Sequence, residues 1–590
     1  MDQQRNTSDG FLASRYDHKE IEKRIYERWE KSGYFNPDNL EKAHSEWRIA
    51  NGKKRKAISH KPYAIIMPPP NANGHLHAGH GLDMTLKDIL IRYKRMRGFR
   101  TLWLPGADHA GFETQIVYEK KLEKEGRSRF DLGREELYKE VLAFTLENKK
   151  HMEREVRALG ASCDWSREKF TLDPDVIKTV HQTFKKLYDD GLVYRGKRII
   201  NWCSKHQTSL SDVETEFKEK TDPFYYFRYG PFVIGTARPE TKFGDKYVVM
   251  HPSDKRYAKY KDGEKIDLEW INGPVTATII KDKAVDMAFG TGVMTITPWH
   301  DAIDFDIAER HKLDKEQIID FRGKLLPIAG EFAGMKAVDA RNAIVEKLKT
   351  KGLVEKIDSE YKHSVRVCYK CENTIEPQIR DQWFVKMEPL AKLAMKPVRE
   401  KKITFIPKHT EKVFFHWMKN AIDWNISRQI VWGIRIPAWF RFKGELAHLN
   451  KLDLEDVGME TSRVHDGEIY PSPLTFREDL AKVEEFIGLE KPKGEGWIQD
   501  PDVFDTWFSS GQWPLVTLGY PDHKDFKTFY PTDMMETGAD LVFKWVPRMI
   551  IFGMYLAKKI PFRTVYFHGM VNDAQNRKMS KSKGNVVSPI

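Results

Sequence analysis

The chain has 590 residues, of which 31% are charged and 40% hydrophobic, and a formal net charge of +12. This length is too great for one hydrophobic core and predicts about three or four domains. No stretch approaches the roughly 18 consecutive apolar residues of a membrane-spanning helix, residues 1–10 lack the apolar centre of a signal peptide, and four cysteines do not make a disulfide framework. We therefore expect a cytoplasmic protein with no membrane association, and the positive charge favours a polyanionic partner.

A strand, a turn and a helix are predicted in succession in the first hundred residues. Tyr63–Met67 is a short apolar run typical of a buried strand, Pro68–Gly74 is typical of a turn, and the apolar spacing from His80 onward predicts a helix. Because the N–H groups of a first helical turn are unpaired and the helix dipole favours an anion, we expect phosphate to bind there. His77 and His80 are close enough in sequence for both to contact it, and Gly79 lets it approach the backbone.

The order of predicted elements divides the chain into an α/β domain and an insertion. After a disordered N-terminus (1–15), strands and helices alternate along 16–212 and again along 363–590, which predicts a doubly wound parallel sheet of the Rossmann type. Ligands of such sheets bind beyond the carboxyl ends of the strands, where Asp108 is expected. Between 213 and 362, short β-rich runs separated by Gly, Pro, Asp and Lys predict an inserted β-rich, barrel-like domain.

Positive charge is concentrated in the segment Arg577–Asn585. Lys578, Lys581 and Lys583 alternate with small polar residues and a glycine, as in a mobile loop that closes over phosphates. Taken alone, the segment fits a solvated surface run equally well.

Two further sequences favour the phosphate interpretation. Asp540, in Gly538-Ala-Asp540, presents a carboxylate suited to ribose hydroxyls. His568-Gly569 follows a strand that we expect to end beside it. Both sequences would lie with the basic loop at one ligand site.

Three of the four cysteines and one histidine form two pairs of potential metal ligands. Cys203-Ser-Lys-His206 lies just before the insertion and Cys368-Tyr-Lys-Cys371 just after it. Two pairs at this spacing predict a tetrahedral Zn²⁺ site that holds together the two chain segments at the base of the inserted domain. The alternative is reduced, metal-free thiols with His206 on the surface. Cys163 lies outside the pattern and is expected in a core.

The chain resembles the class I aminoacyl-tRNA synthetases. His77-Ala-Gly-His80 and Lys578-Met-Ser-Lys-Ser582 are similar to the paired signature sequences of that family, and they stand in the same order, about 500 residues apart, around an inserted β-rich domain. The resemblance covers the chain from about Tyr16 onward and fits the large subfamily for valine, isoleucine or leucine. It implies that His77, His80, Lys578 and Lys581 are catalytic and contact the phosphates of ATP, with Mg²⁺ neutralising the remaining charge. The other ATP-binding residues that it implies are Gly79, Gly538, Asp540, His568, Gly569, Met579, Ser580 and Ser582.

Within the subfamily, two sequences are similar to the valine enzymes. These are Pro68-Pro-Pro-Asn71 and Pro105–Gln115, since isoleucine enzymes tend to a Trp-Asp-Cys-His-Gly pattern where Ala107–His109 stands here. The resemblance implies that Asp108 binds the substrate ammonium group. The amino-acid-binding residues that it implies are Pro69, Asn71, Asp108, Trp424 and Trp507, with Pro69 and the tryptophans walling a small apolar pocket. Core packing is the alternative role for each tryptophan.

The inserted domain is the candidate for a second, hydrolytic site. Threonine is isosteric with valine, and an apolar pocket barely rejects an isosteric hydroxyl, so a valine site needs an editing step. Gly235–Thr241 and Gly290–Asp304 resemble the editing sequences of the subfamily, although many valine enzymes carry Lys where Thr295 stands and Asn where Ile303 stands. A plain β domain with surface acids is the alternative. The editing residues implied are Thr236, Arg238, Glu240, Thr241, Thr297, Asp301 and Asp304. Of these, Asp301 or Asp304 would hold the ammonium group of the substrate. Thr236, Arg238 and Thr241 would bind the terminal adenosine of the tRNA.

The resemblance also implies the reaction and its partners. Valine would react with ATP to give a valyl-adenylate and then be transferred to tRNA(Val), a polyanion of the kind that the net charge favours. We expect a monomer. The helical anticodon-binding domain of the family is absent before the last residue, Ile590, so the sequence is expected to be a fragment or to be completed by a separate chain. The alternatives are an isoleucine or leucine enzyme, and an RNA-binding relative that no longer ligates.

Overall fold

A computed structural model describes the chain in seven parts, namely 18–40, 61–442, 461–465, 468–471, 483–577, 579 and 585–590. The segment 1–15, predicted to be disordered, lies outside the described residues, as do Lys578, Ser580, Lys581 and Ser582. No helix in the described parts is both long and apolar enough to cross a membrane.

A five-stranded parallel sheet forms the centre of the α/β part. Its strands lie in the order Thr404–Ile406, Phe562–His568, Thr532–Gly538, Pro62–Ile66 and Arg100–Leu104. The first two strands of the chain lie on one side of the sheet and the last two are added towards the other, so the topological switch point lies between Pro62–Ile66 and Thr532–Gly538. The predicted doubly wound parallel sheet is confirmed.

Side chains alternate between cores on the two faces of this sheet. Tyr63 and Ile65 pack in a core shared with the helix Ala78–Met96, whereas Ala64 and Ile66 belong to a larger core on the other face. Helices thus cover both faces, as near-continuous apolar strands require. The helices that contribute to the larger core are Pro174–Asp189, Met387–Arg399, Thr410–Lys419, Thr506–Ser510, Trp513–Val516, Lys524–Phe529 and Val546–Phe552. Further helices are His18–Lys31, Gly111–Lys124, Arg134–Ala158, Ala302–His311 and Ala337–Thr350.

The insertion carries a core of its own. It is entered and left through a long antiparallel ribbon, Thr215–Tyr229 with Val354–Cys368, which Phe232–Thr236 extends to three strands. A second sheet contains Lys265–Trp270, Gly273–Lys281, Tyr247–Met250 and Val293–Thr295. Residues of both sheets and of the helix Ala337–Thr350 share one apolar cluster. The predicted β-rich insertion is therefore present as two sheets around one core.

An antiparallel sheet joins the insertion to the α/β part. The strand Val193–Cys203 pairs with Glu376–Val385, and the sheet is completed by Thr208–Leu210 and Trp424–Asn425. The two central strands therefore lie on either side of the insertion in sequence but side by side in space.

The segment 443–500, predicted to be irregular, contains short strands where it is described. Val483–Ile487 and Ile498–Gln499 both pair with Ala438–Phe442, and Thr461–His465 pairs with Glu468–Pro471. The prediction is wrong for these strands because pairing with another strand, rather than local apolar periodicity, specifies them.

Candidate active site

Two histidines cap the helix Ala78–Met96. Nδ1 of His77 accepts the N–H of Gly79 at 3.1 Å, and Nδ1 of His80 accepts the N–H of His77 at 3.1 Å. The two rings lie together, with centroids 3.9 Å apart. A Cβ atom at position 79 would lie 2.9 Å from Cε1 of His77, so the folded-back ring requires glycine there.

This capping corrects one expectation. The first backbone N–H groups of the helix are not open to phosphate, because imidazole accepts that of Gly79 and the carbonyl oxygen of Val587 accepts that of Ala78 at 2.8 Å. Since Nδ1 is the acceptor in both rings, the hydrogen bonds assign the proton of each neutral histidine to Nε2. Each imidazole therefore carries its N–H at Nε2, the nitrogen that is not used for capping.

The segment 585–590, which follows the second signature sequence, lies against the first. It lies across the first turn of the helix, where Val587 bonds to Ala78 and a Cβ atom at Gly81 would lie 3.0 Å from Cβ of Pro589. Met579, the described residue of the second signature, is buried. The residues that contact the first signature sequence here thus come from about 500 residues further along the chain.

The residues expected to bind ribose also lie together. Gly538 pairs with His568 at the ends of neighbouring parallel strands. A Cβ atom at Gly538 would lie 3.0 Å from Oδ1 of Asp540 and 3.7 Å from Nε2 of His568. Gly569 follows and is exposed. The predicted juxtaposition of the two strand ends is confirmed.

A buried ion pair below this edge was not predicted. Lys87 and Glu536 are fully buried and paired, Glu536 also contacts Nδ1 of His568, and Nζ of Lys87 lies 2.6 Å from Oδ1 of Asp83. The carboxylates of Asp83 and Glu536 and the imidazole of His568 are spaced as the ligands of a metal ion would be. However, the ammonium group of Lys87 lies among them. Burial raises the pKa of Asp83 to about 6. No local pattern indicates this pair, because its members are 449 residues apart.

Asp108 is buried on the turn after the second strand of the sheet. Its Oδ1 accepts the N–H of Ala110 at 2.9 Å and lies 3.2 Å from Oγ1 of Thr171, a partner that the sequence did not indicate. Asn71 is bridged to Asp108 through the backbone, and Pro69 is half-buried just before it. The structure thus brings Asn71 and Asp108 together.

The two predicted tryptophans flank a buried arginine. Nε1 of Trp424 donates to Oδ2 of Asp505 at 2.8 Å, and the guanidinium of Arg548 lies 4.4 Å from the centre of the Trp424 ring and 5.9 Å from that of Trp507. Burial lowers the pKa of Arg548 to about 10. Trp424 is buried by these contacts, as the core-packing alternative predicts, whereas Trp507 is half-buried.

The Asp108 turn and the tryptophan cluster meet at Gly111. A Cβ atom there would lie 2.8 Å from Oγ1 of Thr506, the residue before Trp507. The helix Gly111–Lys124 therefore begins against the helix that carries Trp507. This contact brings the two halves of the predicted amino-acid pocket next to each other.

Two matching turns carry the predicted metal ligands. In 203–206 and in 368–371, the residue after the second ligand has a positive φ, 49° at Gln207 and 61° at Glu372. Each of these residues donates its N–H to the carbonyl oxygen of the first cysteine, at 2.7 and 2.9 Å. The two turns therefore have the same hydrogen-bonded form.

The four ligand side chains converge. Donor atoms of Cys203, His206, Cys368 and Cys371 all lie within 4.8 Å of one another, and the sulfurs of Cys203 and Cys371 are 3.7 Å apart. His206 is buried, which contradicts the alternative of a surface histidine, and its Nε2 has no hydrogen-bond partner among the described residues. A buried nitrogen without a partner is costly unless a ligand takes its lone pair. The donor set fits a tetrahedral Zn²⁺ ion.

Arg238 and its neighbours in the insertion are tied to one another. The guanidinium of Arg238 lies 2.6 and 2.8 Å from the two carboxylate oxygens of Glu376, and its Nε lies 3.2 Å from Oε1 of Glu240. Oγ1 of Thr236 accepts the N–H of Arg238, and Oγ1 of Thr241 donates to its carbonyl. These four predicted editing residues are brought together, with Arg238 held against the antiparallel sheet.

The acidic editing residues differ in environment. Asp301 is exposed and caps the helix Ala302–His311, accepting the N–H of Ile303 at 2.8 Å. Asp304 is buried, and its Oδ2 accepts the N–H of Thr297 at 2.8 Å. Burial and the neighbouring Asp301 raise the pKa of Asp304 to about 7. Asp304 is therefore the more strongly perturbed acid.

Comparisons with known proteins agree with the signature sequences. A family model described as tRNA synthetases class I (I, L, M and V) matches residues 24–590. The valine–tRNA ligases of Pseudothermotoga lettingae and Clostridium tetani are 42% and 41% identical over 98% of this chain. The matches cover 62% and 61% of those relatives, so the chain spans about three fifths of their length. Among solved structures, a LeuRS–tRNA–LeuAMS complex from Agrobacterium radiobacter is similar over 98% of this chain and 70% of that one, with a TM-score of 0.46 and 17% identity.

Proposed function

The chain belongs to the class I tRNA synthetases for isoleucine, leucine, methionine and valine, and we propose that it joins valine to tRNA(Val) through a valyl-adenylate. The observation that carries this proposal is the contact between Ala78 and Val587, in which the segment just after the second signature sequence contacts the first. The choice of valine is supported by the 41–42% identity to valine–tRNA ligases.

The first step is attack of the valine carboxylate on the α-phosphorus of ATP, with pyrophosphate as the leaving group. The protein then needs to supply positioning and charge stabilisation rather than a covalent intermediate. We assign the Nε2–H groups of His77 and His80 to the phosphate oxygens, and Asp540 to the ribose hydroxyls. Lys578 and Lys581 would close over the phosphates, and ATP would enter as its Mg²⁺ complex.

Asp108 is assigned to the ammonium group of valine. Its buried carboxylate already accepts an N–H at Oδ1, and an ammonium group is the cation that an amino acid offers to it. Pro69 and the half-buried Trp507 would contact the side chain. The acyl group is then transferred to the 3′-terminal ribose of tRNA.

We assign a hydrolytic editing step for threonyl-tRNA to the inserted domain, 213–362. Support comes from the buried Asp304, whose raised pKa is typical of functional acids. Asp304 would anchor the substrate ammonium group or orient water. Because Arg238 is already held by Glu376 and Glu240, its role would be to position Thr236 and Thr241 rather than to bind adenosine itself.

We assign a structural Zn²⁺ ion to Cys203, His206, Cys368 and Cys371. A closed set of four protein ligands leaves no open position for substrate, so the ion would supply folding energy rather than catalysis.

Pyrophosphate exchange into ATP tests the proposed function. We expect valine to stimulate exchange, and His77→Ala with His80→Ala to abolish it in protein that is still folded, although the loss of the two helix caps should lower its melting temperature slightly. Stimulation by isoleucine or leucine instead would make the chain a ligase for that amino acid. No stimulation by any amino acid would favour the non-ligating RNA-binding alternative.

A further inference from the structure

The helix Gly111–Lys124 lies between the amino-acid site and the four-ligand cluster. At its start, Ala110 has a φ of +50° and donates its N–H to Asp108. Further along, Phe112 and Ile116 pack in one apolar cluster with Cys203 and Cys368. The ring of Phe112 also stands edge-on to His206, at 5.3 Å between centroids. This one helix therefore contacts both the amino-acid site and the four-ligand cluster.

Glu113 on this helix makes the most direct polar connection between them. Its Oε2 accepts Nδ2 of Asn71 at 2.5 Å. Its Oε1 lies 2.9 Å from Nζ of Lys370 and accepts the hydroxyl of Tyr369 at 3.3 Å. Tyr369 and Lys370 are the two residues between Cys368 and Cys371. The carboxylate thus joins the metal-ligand turn to the segment that enters the amino-acid site.

These contacts fix the charge of Glu113. Burial alone would favour its neutral form, but Lys370 and the hydroxyl of Tyr369 outweigh it and lower the pKa. Lys370 is itself largely buried, with 14% of its side chain exposed. Since 33% of the Glu113 side chain is exposed, solvent shields the pair in part.

The contacts also fix the orientation of Asn71. A carboxylate only accepts hydrogen bonds, so the NH₂ group of the Asn71 amide must face Glu113, and Oδ1 lies on the other side of the Cβ–Cγ bond. Asn71 is bridged to Asp108, the residue assigned to the substrate ammonium group. An amide oxygen of fixed orientation on a residue paired with Asp108 suits an ammonium group, which has three donors.

We propose that Glu113 is a positioning residue for amino-acid binding, which transmits the position of the Cys368–Cys371 turn to the side chain of Asn71. The inference rests on the proposed function, because it takes the ligand beside Asp108 to be the substrate amino acid. It assigns Glu113 no contact with substrate and no part in the ATP site. It therefore concerns the affinity for the amino acid rather than the chemical step.

The test separates the KM for valine from kcat. In valine-dependent pyrophosphate exchange, we expect Glu113→Ala to raise the KM for valine about tenfold or more, since charge-assisted hydrogen bonds are lost. The KM for ATP and kcat should change less than about twofold, and Lys370→Met should show the same pattern more weakly. Glu123→Ala, at an exposed position of the same helix, is the matched control and should match the wild type.

Two further measurements keep the inference falsifiable. If Glu113 acts through Asn71, the double variant Glu113→Ala/Asn71→Ala should have the KM of Asn71→Ala alone, and additive effects would overturn the inference. Zinc content and melting temperature should stay at the wild-type values in Glu113→Gln, and the KM for valine should still rise. Loss of zinc together with the rise in KM would also overturn it. Absence of valine-stimulated exchange in the wild type would instead contradict the proposed function.

Discussion

Nζ of Lys242 lies 3.2 Å from Oγ1 of Thr295. The valine enzymes that this chain resembles often carry lysine where Thr295 stands, and here an ammonium group reaches the same place from a neighbouring segment. It is nearly buried, 3.5 Å from Oδ1 of Asp245, and it lowers the pKa of Asp304 against the larger effect of burial. An ammonium group thus lies beside position 295 although that residue is a threonine.

We expect Lys242→Met to slow threonyl-tRNA hydrolysis about 10²-fold, because the acids of the site lose their buried cation. The measurement is deacylation of threonyl-tRNA, with valine-dependent pyrophosphate exchange as the control that should not change. Thr295→Lys introduced into the Lys242→Met variant should restore hydrolysis. If Thr295→Lys does not restore hydrolysis, the inference that hydrolysis requires an ammonium group at this position is wrong.

The raised pKa of Asp304 predicts a pH-dependent stability. Its pKa is about 7 in the folded protein against 3.8 ordinarily, so between these values the folded state holds a proton that the unfolded state has lost. Rising pH therefore destabilises the fold, by up to roughly 4 kcal/mol in total from this group. We expect Asp304→Asn, which mimics the protonated acid, to exceed the wild-type melting temperature at pH 8 by clearly more than at pH 5, because roughly 1.6 of the 4 kcal/mol is already lost at pH 5.

The exposed Asp306, on the same helix, provides the control for this prediction. Asp306→Asn should change the melting temperature equally at both pH values. An equal response of the Asp304 and Asp306 variants would contradict the assignment of the pH dependence to Asp304.

The sheet and the signature residues could be predicted from the sequence because both depend on local signals. The apolar run at Tyr63–Met67 and the helical spacing after His80 fixed a strand and a helix within a few residues of their observed bounds. The open helix N-terminus was predicted wrongly, because the imidazole of His77 and the distant carbonyl of Val587 satisfy its N–H groups. Capping by a distant segment leaves no trace in the local sequence.

The partners of the site residues could not be predicted for the same reason. Thr171 beside Asp108 and Glu536 beside Lys87 lie 63 and 449 residues away along the chain. Only the fold brings them together. The metal ligands were the exception, because the spacing within each pair is itself the signal.

The buried pair of Lys87 and Glu536 predicts a large loss of stability on truncation. Lys87→Met should lower the free energy of unfolding by about 3–5 kcal/mol, since it leaves the Glu536 carboxylate buried without its cation. Adding Glu536→Gln should recover a substantial part of the loss. Urea denaturation measures both, and Lys120→Met, at an exposed position, should cost less than about 0.5 kcal/mol. Additive losses in the double variant would contradict the pairing.

Removal of the proposed metal should lower the stability of the protein strongly and its affinity for valine to a smaller extent. Purified protein should contain about one equivalent of zinc, and a chelator should lower the melting temperature because a structural ion binds only the folded state. Cys371→Ser should lose the zinc, whereas Cys163→Ser, outside the cluster, should retain it. Because Glu113 is held by residues of the 368–371 turn, the Cys371 variant should also show a raised KM for valine at temperatures where it is still folded. Zinc well below one equivalent in unchelated protein would contradict the four-ligand site.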